Sequence, residues 1–489
     1  MYIVMTSSEC APVAKVGGLG DVIQGLSYEL SVRGNHVEVI LPKYDCMRYD
    51  RIFGLHKVHG DLWVPYYDRW IHCDVYFGFV EGLKCFFIDP HSDHNFFNRG
   101  VFYGHLDDPA RFAFFSRAAL EFLLKTKRHP DVIHCHDWQT GLVPVLLFEM
   151  YKQLGMTHPR VCYTLHNLGH QGVTGDHILR QSGLNPAHFM TPDRLRDHSH
   201  PNAVNLMKGG IVFSNFVTTV SPRYAEEIKS TNLGTGLQHT LWVHRQKFGG
   251  VLNGIDYNVW NSEIDPRIPH CYTVDSLQDK YANKGALRAR VWLRHEFKPI
   301  VAVVSRLDHQ KGVDLIRHAI FYSLANECQF VLLGSSPEPR INDEFWSLKR
   351  YLNENPDCHL EIGYDDELAH LIFAGSDMIV IPSAYEPCGL TQMIALKYGT
   401  VPIVRNTGGL GDTVYDANYS HKPFHERNGY VFNDYNREGL ESALRRAMGL
   451  WFDYPVYFRQ LMVNGMRLDY SRNHPATHYL NIYGYIKES

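Results

Sequence analysis

Short apolar runs alternate with amphipathic segments in the first part of the chain. Residues 2–5 form a β-branched apolar run, and residues 37–41 form a second run that is closed by Pro42. Between them, apolar residues recur at helical spacing over residues 22–32, just before Gly34. This succession predicts a strand, a loop, a helix and a second strand, which is the repeating unit of a parallel sheet.

The same alternation continues and divides the chain into two α/β halves. The remaining predicted elements of the first half are strands at 132–134, 160–165 and 217–220 and a helix at 141–151. Those of the second half are strands at 299–304, 329–333, 378–381 and 401–404 and helices at 313–324 and 391–398. The glycine-rich stretch 249–256 suits a hinge, and residues 476–486 suit a final helix. Because open parallel sheets bind ligands beyond the carboxyl ends of their strands, two facing sheets would form a deep cleft lined by these loops.

Composition is that of an ordinary globular protein with more than one domain. Of 489 residues, 45% are hydrophobic and 20% are charged. Lys and Arg number 48 against 52 Asp and Glu, and this balance argues against a nucleic-acid-binding protein. The ten cysteines contain no Cys-x-x-Cys pair, and the apolar runs are too short for a signal peptide or a membrane span. We therefore expect reduced thiols and a cytoplasmic location.

A glycine-rich loop follows the first predicted strand and opens the first helix. Its sequence is Lys15-Val16-Gly17-Gly18-Leu19-Gly20-Asp21. Backbone N–H groups at a helix N-terminus, together with a nearby lysine, favour a phosphate. The spacing matches neither the dinucleotide-binding fingerprint nor the P-loop, so a dehydrogenase and a P-loop ATPase both lose support. A plain flexible loop is the alternative.

Two further loops after strands carry charged residues. Arg306 and Lys311 follow the strand at 299–304, where they suit a diphosphate or, alternatively, are solvated surface charges. Glu386 begins a loop in which Pro387 fits the start of a helix, so that Gly389, Leu390 and Thr391 would offer free N–H groups. A carboxylate at this position suits sugar hydroxyls or simply caps the helix. Cys388 has no His or Asp near it in sequence, which disfavours a catalytic thiol.

Histidines and aromatic residues end two strands of the first half. In the run from His134 to Trp138, His134 and His136 share a strand face from which Cys135 points away, and this disfavours a metal site. Asp137 and Trp138 fit sugar binding better, through carboxylate–hydroxyl bonds and indole stacking. His166 follows the next strand, at the same predicted sheet edge.

An aromatic-rich region precedes these strands. The segment 89–108 and the residues Trp63, Tyr66, Tyr67 and Trp70 suit stacking against a polysaccharide, and core packing explains any one of them equally well.

These motifs together resemble the glycogen and starch synthases of bacteria and plants, over nearly the whole chain. The resemblance rests on 15–19 (Lys-Val-Gly-Gly-Leu), 136–138 (His-Asp-Trp), 166–167 (His-Asn), 253–256 (Asn-Gly-Ile-Asp), 305–312 (Ser-Arg-Leu with Gln-Lys-Gly) and 386–391 (Glu-Pro-Cys-Gly-Leu-Thr). The Lys-Val-Gly-Gly-Leu form is more similar to the cyanobacterial and plastid branches than to the enterobacterial one.

The resemblance implies a glycosyltransferase B fold, with two Rossmann-like lobes and a C-terminal helix that crosses back to the first lobe. We expect an acceptor-side lobe at 1–250, a nucleotide-sugar-binding lobe at 251–465 and the crossing helix at 466–489. The implied reaction is metal-independent, needs no cofactor and retains anomeric configuration. It moves glucose from ADP-glucose to the non-reducing end of an α-1,4-glucan such as glycogen, starch or a maltooligosaccharide.

The resemblance also implies roles for the motif residues. Arg306 and Lys311 would neutralise the diphosphate, Gly18, Leu390 and Thr391 would donate N–H groups to it, and Lys15 would lie near it. Glu386 would bind glucose hydroxyls, the main chain of His166 would face the developing positive charge, and Asp137 would orient the acceptor. Tyr364 would stack on the adenine, and the further donor-binding and acceptor-binding positions would be Asn253, Cys388, Gly389, Tyr103 and Trp138.

Two positions depart from the family pattern. Gln139 stands where many members have His, and Tyr470-Ser471-Arg472 replaces the usual Tyr-Ser-Trp, which bears on the packing of the last helix. The Lys-Val-Gly-Gly-Leu loop argues against a sucrose-forming or trehalose-forming transferase of the same fold. A phosphorylase, which needs a lysine for pyridoxal phosphate, is disfavoured only by the family resemblance. A non-catalytic glucan-binding protein would have a damaged donor site, whereas Lys15, Arg306, Lys311 and Glu386 are all present. The sequence leaves open the choice between ADP-glucose and UDP-glucose and between a plastid stroma, a granule and the cytoplasm.

Overall fold

The computed structural model describes residues 1–488. These residues form two compact units, of which the first contains Met1–Leu252 and the segment that begins at Arg472. The second unit is Asn253–Ser471. Among residues 1–488, no helix is both long enough and apolar enough to cross a bilayer.

The first unit is built on a nine-stranded sheet. Its strands are β1 (Tyr2–Thr6), β2 (His36–Pro42), β3 (Phe53–Tyr66), β4 (Arg69–Val80), β5 (Leu83–His91), β6 (Val132–His136), β7 (Arg160–Leu165), β10 (Phe216–Thr219) and β11 (Phe248–Gly250). Two further strands, β8 (Val173–Gly175) and β9 (Ala203–Asn205), form a separate antiparallel pair. The order is β11-β10-β7-β6-β1-β2-β5-β4-β3. All neighbours are parallel except β4 with β5 and β3 with β4, which pair antiparallel at one edge.

Helices cover this sheet. They are α1 (Gly18–Val32), α2 (Asp108–Lys125), α3 (Leu142–Leu146), α4 (His177–Gln181), α5 (Pro186–Phe189), α6 (Leu206–Phe213), α7 (Pro222–Ser230) and α8 (Gln238–Val243). The central strands β1 and β6 are buried along nearly their whole length, as parallel strands with helices on both faces must be.

The second unit has a six-stranded parallel sheet. Its strands are β12 (Ile300–Val304), β13 (Gln329–Gly334), β14 (Cys358–Ile362), β15 (Met378–Ile381), β16 (Val401–Arg405) and β17 (Tyr430–Phe432). Its helices are α9 (Lys280–Arg290), α10 (Val313–Ala325), α11 (Pro339–Leu352), α12 (Asp366–Gly375), α13 (Thr391–Lys397), α14 (Gly408–Thr413), α15 (Arg437–Asp453) and α16 (Pro455–Arg467). The order β14-β13-β12-β15-β16-β17 is that of the dinucleotide-binding Rossmann sheet.

Each sheet has a point at which the order of its strands reverses. In the first unit β1 lies between β2 and β6, and in the second β12 lies between β13 and β15. The connections therefore leave in opposite directions and open a crevice at the carboxyl ends of the two adjacent strands. The loops that the sequence singled out follow β1, β6, β7, β12 and β15.

The last helix, α17 (Asn473–Glu488), packs into the core of the first unit through Ala476, Tyr479, Tyr483 and Ile486. Arg472, which departs from the expected family pattern, reaches α1 and donates from Nη1 to Oε1 of Gln24 at 2.8 Å. A Cβ added at Gly25 would lie 2.2 Å from Nε of Arg472. The missing side chain of this glycine thus provides the room that the guanidinium occupies.

The structure corrects several predicted element boundaries. The first helix begins at Gly18 rather than at residue 22, directly from the glycine-rich loop. The helix expected at 141–151 is α3 followed by a π-helical turn, Leu147–Tyr151. The first part of the predicted hinge is β11, and the boundary between the units falls after Leu252.

Candidate active site

The loop after β1 in the first unit is held by a buried carboxylate, Glu9, which is only 4% exposed. Its Oε2 accepts hydrogen bonds from the backbone N–H groups of Val16 and Gly17 at 2.8 and 3.2 Å. Its Oε1 accepts one from the hydroxyl of Tyr103 at 2.8 Å. The carboxylate therefore fixes the start of α1. No motif pointed to a role for Glu9, although an acid three residues after an apolar strand is a usable signal.

The N-terminus of α1 is open and carries a cation. Gly17, Gly18 and Lys15 are exposed, and a Cβ added at either glycine would meet no described atom within 4 Å. Lys15 Nζ lies 2.8 Å from Asp21 Oδ1, and the side chain of Lys15 is 48% exposed. The N–H groups of this first turn and the ammonium group can therefore both reach an anion.

Asp137 follows β6 in a left-handed conformation, with φ of 54°. Its Oδ1 accepts a hydrogen bond from the backbone N–H of His166 at 2.7 Å, and its own N–H donates to the carbonyl oxygen of Thr164. Burial raises the pKa of Asp137 to about 7, against the opposing effect of the His166 and Asn167 N–H groups. A strained, partly buried acid of this kind is typical of a functional site.

Three histidines, His134, His136 and His166, lie in a chain next to Asp137. We call these histidines, together with Asp137 and Glu9, the N-terminal cluster. His166 Nε2 lies 3.1 Å from His136 Nδ1, and the rings of His136 and His134 are 4.0 Å apart. The two ring nitrogens of His134 contact the hydroxyls of Tyr483 and Thr164 at 2.7 and 2.6 Å. Burial lowers the pKa of His166 to about 3 and keeps the pKa values of His134 and His136 well below the ordinary range.

This geometry argues against a metal site in the run from His134 to Trp138. Both nitrogens of His134 are engaged, and Cys135 lies on the other strand face, where Thr6 donates to its sulfur. Trp138 is only 9% exposed and packs edge-on against Phe112 at 5.5 Å. The indole is therefore part of the core rather than an open stacking surface, contrary to what the sequence suggested for it.

Other aromatic residues divide between core and surface. Tyr66 is buried and belongs to the core, whereas Trp63, Tyr67 and Trp70 are each about half exposed on the antiparallel edge of the sheet. Tyr103 contacts the Phe112 ring at 5.9 Å and joins the N-terminal cluster through Glu9 and through Ser8 Oγ, 2.8 Å from its hydroxyl.

In the second unit, Lys311 and Glu386 come from the loops that follow the adjacent strands β12 and β15. Lys311 Nζ lies 2.6 Å from Glu386 Oε2, and the same oxygen accepts from Ser383 Oγ at 2.9 Å. The side chain of Glu386 is 7% exposed and that of Lys311 is 20% exposed. Arg306 is 64% exposed, and its Nη2 is 3.5 Å from Asp308 Oδ2. We call Arg306, Lys311 and Glu386 the C-terminal cluster.

Two glycines that sequence analysis did not single out support this cluster. Gly408, with φ of 46°, lies so close to the backbone of Glu386 that a Cβ would be 1.9 Å from the Glu386 carbonyl oxygen. A Cβ at Gly409 would be 1.8 Å from the carbonyl oxygen of Cys388. The Gly409 N–H donates to the Glu386 carbonyl at 3.1 Å. The available signal was a glycine pair at the start of a helix, as at the start of α1.

The loop after Glu386 differs from its prediction. The helix does not start at Pro387, because Gly389 has φ of 70° and α13 begins at Thr391 with Leu390 as its N-cap. Leu390 and Thr391 still lie at a helix N-terminus and are partly exposed.

Cys388 and Asn253 are linked within the second unit. Burial raises the pKa of Cys388 to about 12, against the opposing effect of the Asn253 N–H. This thiol therefore stays protonated and is unsuited to nucleophilic attack.

Tyr364 follows β14 at the same sheet edge and is 89% exposed. Its hydroxyl lies 3.4 Å from Asp366 Oδ1, and most of the ring is open to solvent.

The two Rossmann-like sheets, with charged and glycine-rich loops after the strands at each reversal point, define a glycosyltransferase of the B fold. The family model described as "Starch synthase catalytic domain" matches residues 2–243, and the one described as "Glycosyl transferases group 1" matches residues 289–457. The chain belongs to the glycogen and starch synthase family.

Similar proteins extend over the whole chain. It is 70% identical to "Glycogen synthase 1" of Nitrosococcus oceani, with 100% of both chains covered. It is 61% identical to "Glycogen synthase 1" of a Synechococcus species, again with 100% of both covered. The solved catalytic domain of starch synthase IV from Arabidopsis thaliana, bound to ADP and acarbose, matches with a TM-score of 0.95 and 44% identity over 100% of this chain and 99% of that one.

These similarities confirm the family, the fold and the glucosyltransferase function that the sequence predicted, rather than the non-catalytic alternative. A sucrose-phosphate synthase from Thermosynechococcus elongatus, 18% identical with a TM-score of 0.61, shares the fold alone.

Proposed function

We propose that the enzyme transfers glucose from ADP-glucose to the non-reducing end of an α-1,4-glucan in the cytoplasm, with retention of configuration and without a metal cofactor. The second unit, by this proposal, binds the nucleotide-sugar, and the first unit orients the acceptor. The bound ADP and acarbose named for the Arabidopsis relative support a nucleotide donor and a glucan-like acceptor.

The donor role of the second unit rests on the chemistry of the C-terminal cluster. When the bond between glucose C1 and the diphosphate breaks, negative charge grows on the phosphate oxygens. Arg306 is largely exposed and can reach such a group in a bidentate fashion, and Lys311 adds a second cation. Fixed cations aimed at developing charge are usually the largest contribution to rate. Leu390 and Thr391 add N–H donors of a helix start, and Tyr364 offers an open ring to the adenine.

The carboxylate of Glu386 suits sugar hydroxyls. Glu386 is buried, and its carboxylate is bound by Lys311 and Ser383. Gly408 and Gly409 pack closely against the backbone at residues 386–388. A rigid carboxylate accepts hydrogen bonds from vicinal hydroxyls without reorganising. We therefore assign it to the 3- and 4-hydroxyls of the transferred glucose, with Asn253, Cys388 and Gly389 shaping the same loop.

The acceptor role of the first unit rests on the N-terminal cluster. The Asp137 carboxylate is ordered by the His166 N–H, and the neutral His166 ring places no positive charge beside a developing oxocarbenium ion. We assign Asp137 to orienting the acceptor hydroxyl, the His166 main chain to the reacting sugar and Tyr103 to the acceptor. We also assign Lys15 and the Gly18 N–H to the diphosphate.

The chemical step needs no enzymic nucleophile. The acceptor 4-hydroxyl oxygen bonds to C1 on the face that the diphosphate leaves, and its proton passes to a departing phosphate oxygen. Because the buried thiol of Cys388 keeps its proton, it does not compete for C1.

The ion pair of Lys311 with Glu386 at the reversal point of the second sheet is the observation that carries this proposal. The test is glucose incorporation into glycogen and into a maltooligosaccharide, with ADP-glucose and UDP-glucose supplied in parallel and with and without a chelator. Turnover with ADP-glucose that the chelator leaves unchanged is the expected result. Faster turnover with UDP-glucose would overturn the donor assignment, and inhibition reversed by added metal would overturn the metal-free mechanism.

A further inference from the structure

Two histidines and an aspartate meet on the antiparallel edge of the first sheet, away from both clusters in sequence. His72 on β4 lies directly opposite His91 on β5 in the strand register. Asp74 is two residues along β4 and so shares their face. One ring nitrogen of each histidine and one oxygen of Asp74 all lie within 4.8 Å of one another. We propose that His72, Asp74 and His91 form a zinc-binding site.

The spacing suits a small divalent ion. Zinc binds imidazole nitrogen and carboxylate oxygen at about 2.0–2.2 Å in a tetrahedral arrangement, which places ligand atoms roughly 3.3 Å apart. His91 Nε2 and Asp74 Oδ2 already lie 3.0 Å apart. The His72 and His91 rings are stacked, with centroids 5.3 Å apart and an interplanar angle of 20°. Small rotations of two side chains therefore complete the set, and water would fill the remaining position.

The hydrogen bond of His72 determines which of its nitrogens is available. His72 Nε2 is 2.8 Å from the carbonyl oxygen of Gly60, and since a carbonyl can only accept, Nε2 carries the proton. The Nδ1 lone pair is left for a ligand. A ligating histidine whose other nitrogen donates to a backbone carbonyl is the usual arrangement around protein-bound zinc.

One cation now competes for the site. Lys57 Nζ lies 2.6 Å from Asp74 Oδ2, and the Lys57 side chain is 49% exposed while that of Asp74 is 7% exposed. Metal binding would displace this flexible ammonium to solvent. The neighbouring carboxylate, Asp89, is paired with Lys43 at 3.0 Å, which leaves Asp74 as the acid of the cluster.

The site is independent of the proposed reaction. It would link β4 to β5 beside a cavity of about 660 Å³ lined by Lys43, Asp89 and His91 among others. We therefore expect zinc to raise the melting temperature without being required for glucosyl transfer.

The experiment is zinc titration of the chelator-treated full chain by calorimetry, with cobalt absorption as a second readout and magnesium as a hard-ion control. We expect one zinc equivalent bound in the micromolar range, a rise of a few degrees in melting temperature, and no comparable effect of magnesium. The variants His72→Ala and His91→Ala should each weaken binding at least about tenfold, whereas Lys57→Met should strengthen it.

The matched control is His158→Ala. His158 is an exposed histidine 3.0 Å from a carboxylate, Asp131, but is not part of the cluster. Its loss should leave zinc affinity unchanged, with circular dichroism showing that every variant is folded. Equal affinity of the wild type and the His72→Ala, His91→Ala double variant, or no zinc binding at all, would overturn the proposal.

Discussion

Lys311 Nζ lies 2.6 Å from Glu386 Oε2, although the two residues are 75 positions apart in sequence. They meet because β12 and β15 are neighbours in the sheet and both loops leave its carboxyl edge. The lysine is positioned by a buried acid, and part of its side chain stays exposed.

Replacing Lys311 by Ala should therefore lower kcat by on the order of 10²–10³, the usual effect of removing one strong transition-state donor. The measurement is the initial rate of glucose incorporation at saturating ADP-glucose. Lys422→Ala is the matched control, since Lys422 also pairs with a glutamate, at 3.0 Å from Glu426, but with 40% of its side chain exposed. A Lys311→Ala enzyme with nearly normal turnover would remove this residue from the mechanism.

The open ring of Tyr364 should act on donor binding rather than on the chemical step. We expect Tyr364→Ala to raise KM for ADP-glucose about tenfold, the loss of one stacking contact of roughly 1 kcal/mol or more, with little change in kcat. Tyr351→Ala is the control, because Tyr351 is 74% exposed near the end of α11. A changed kcat with an unchanged KM would contradict the stacking role.

An Asn substitution separates the effect of the Asp137 charge from that of its hydrogen bond with the His166 N–H. Asn at this position can still accept from the His166 N–H through its side-chain oxygen, so Asp137→Asn should fold normally. We expect kcat with a maltooligosaccharide to fall by on the order of 10²-fold, as for loss of a group that positions a reactant. Asp50→Asn, which removes an exposed acid paired with Arg48, should leave kcat unchanged. Equal rates for the two variants would show that the Asp137 charge is dispensable.

The imidazole chain should make the first unit sensitive to acid. The pKa of His166 is about 3, and the pKa values of His134 and His136 are also lowered by burial, whereas unfolded histidines titrate near pH 6.5. The unfolded chain therefore binds more protons below about pH 6.5, and stability falls as the pH decreases from there. Asp137 acts in the opposite direction, because its pKa of about 7 makes the native state lose stability as pH rises toward 7.

The test compares melting temperatures at pH 7 and pH 5. His136→Gln should be less stable than the wild type at pH 7 yet lose less on acidification, because one buried neutral imidazole is gone. His425→Gln, which alters a histidine whose side chain is 76% exposed, should follow the wild type. An equal drop in melting temperature from pH 7 to pH 5 for the wild type and His136→Gln would contradict the proposed linkage between histidine protonation and stability.

The contact of Gly408 with Glu386 predicts a local effect on both stability and rate. Ala at 408 combines φ of 46° with a Cβ 1.9 Å from the Glu386 carbonyl oxygen, so the loop must move. We expect a loss of more than about 1 kcal/mol in unfolding free energy and a kcat at least tenfold lower. Gly449→Ala, in the middle of α15 with no described atom within 4 Å of the added Cβ, should instead gain about 0.5–1 kcal/mol and keep its activity. Normal activity of Gly408→Ala would show that this contact does not position Glu386.

The sequence by itself determined the alternation of strands and helices, the family and the loops that carry the chemistry. Apolar strands such as β7 and β15 begin and end where the pattern places them, because a buried parallel strand needs a continuous apolar run. Candidate site residues such as Arg306 and Lys311 could be found from the sequence because each lies in a short motif of neighbouring residues.

Only the tertiary structure decided which residues support those motifs. Glu9 beneath the glycine-rich loop, Gly408 against Glu386 and Tyr483 on His134 depend on contacts between distant segments, in the last case 349 positions apart. Packing also turned Trp138 into a core residue and moved the start of α13 to Thr391. The burial of a side chain and its contacts with distant residues arise only when the sheet is assembled. The local pattern of apolar and polar residues therefore does not predict them.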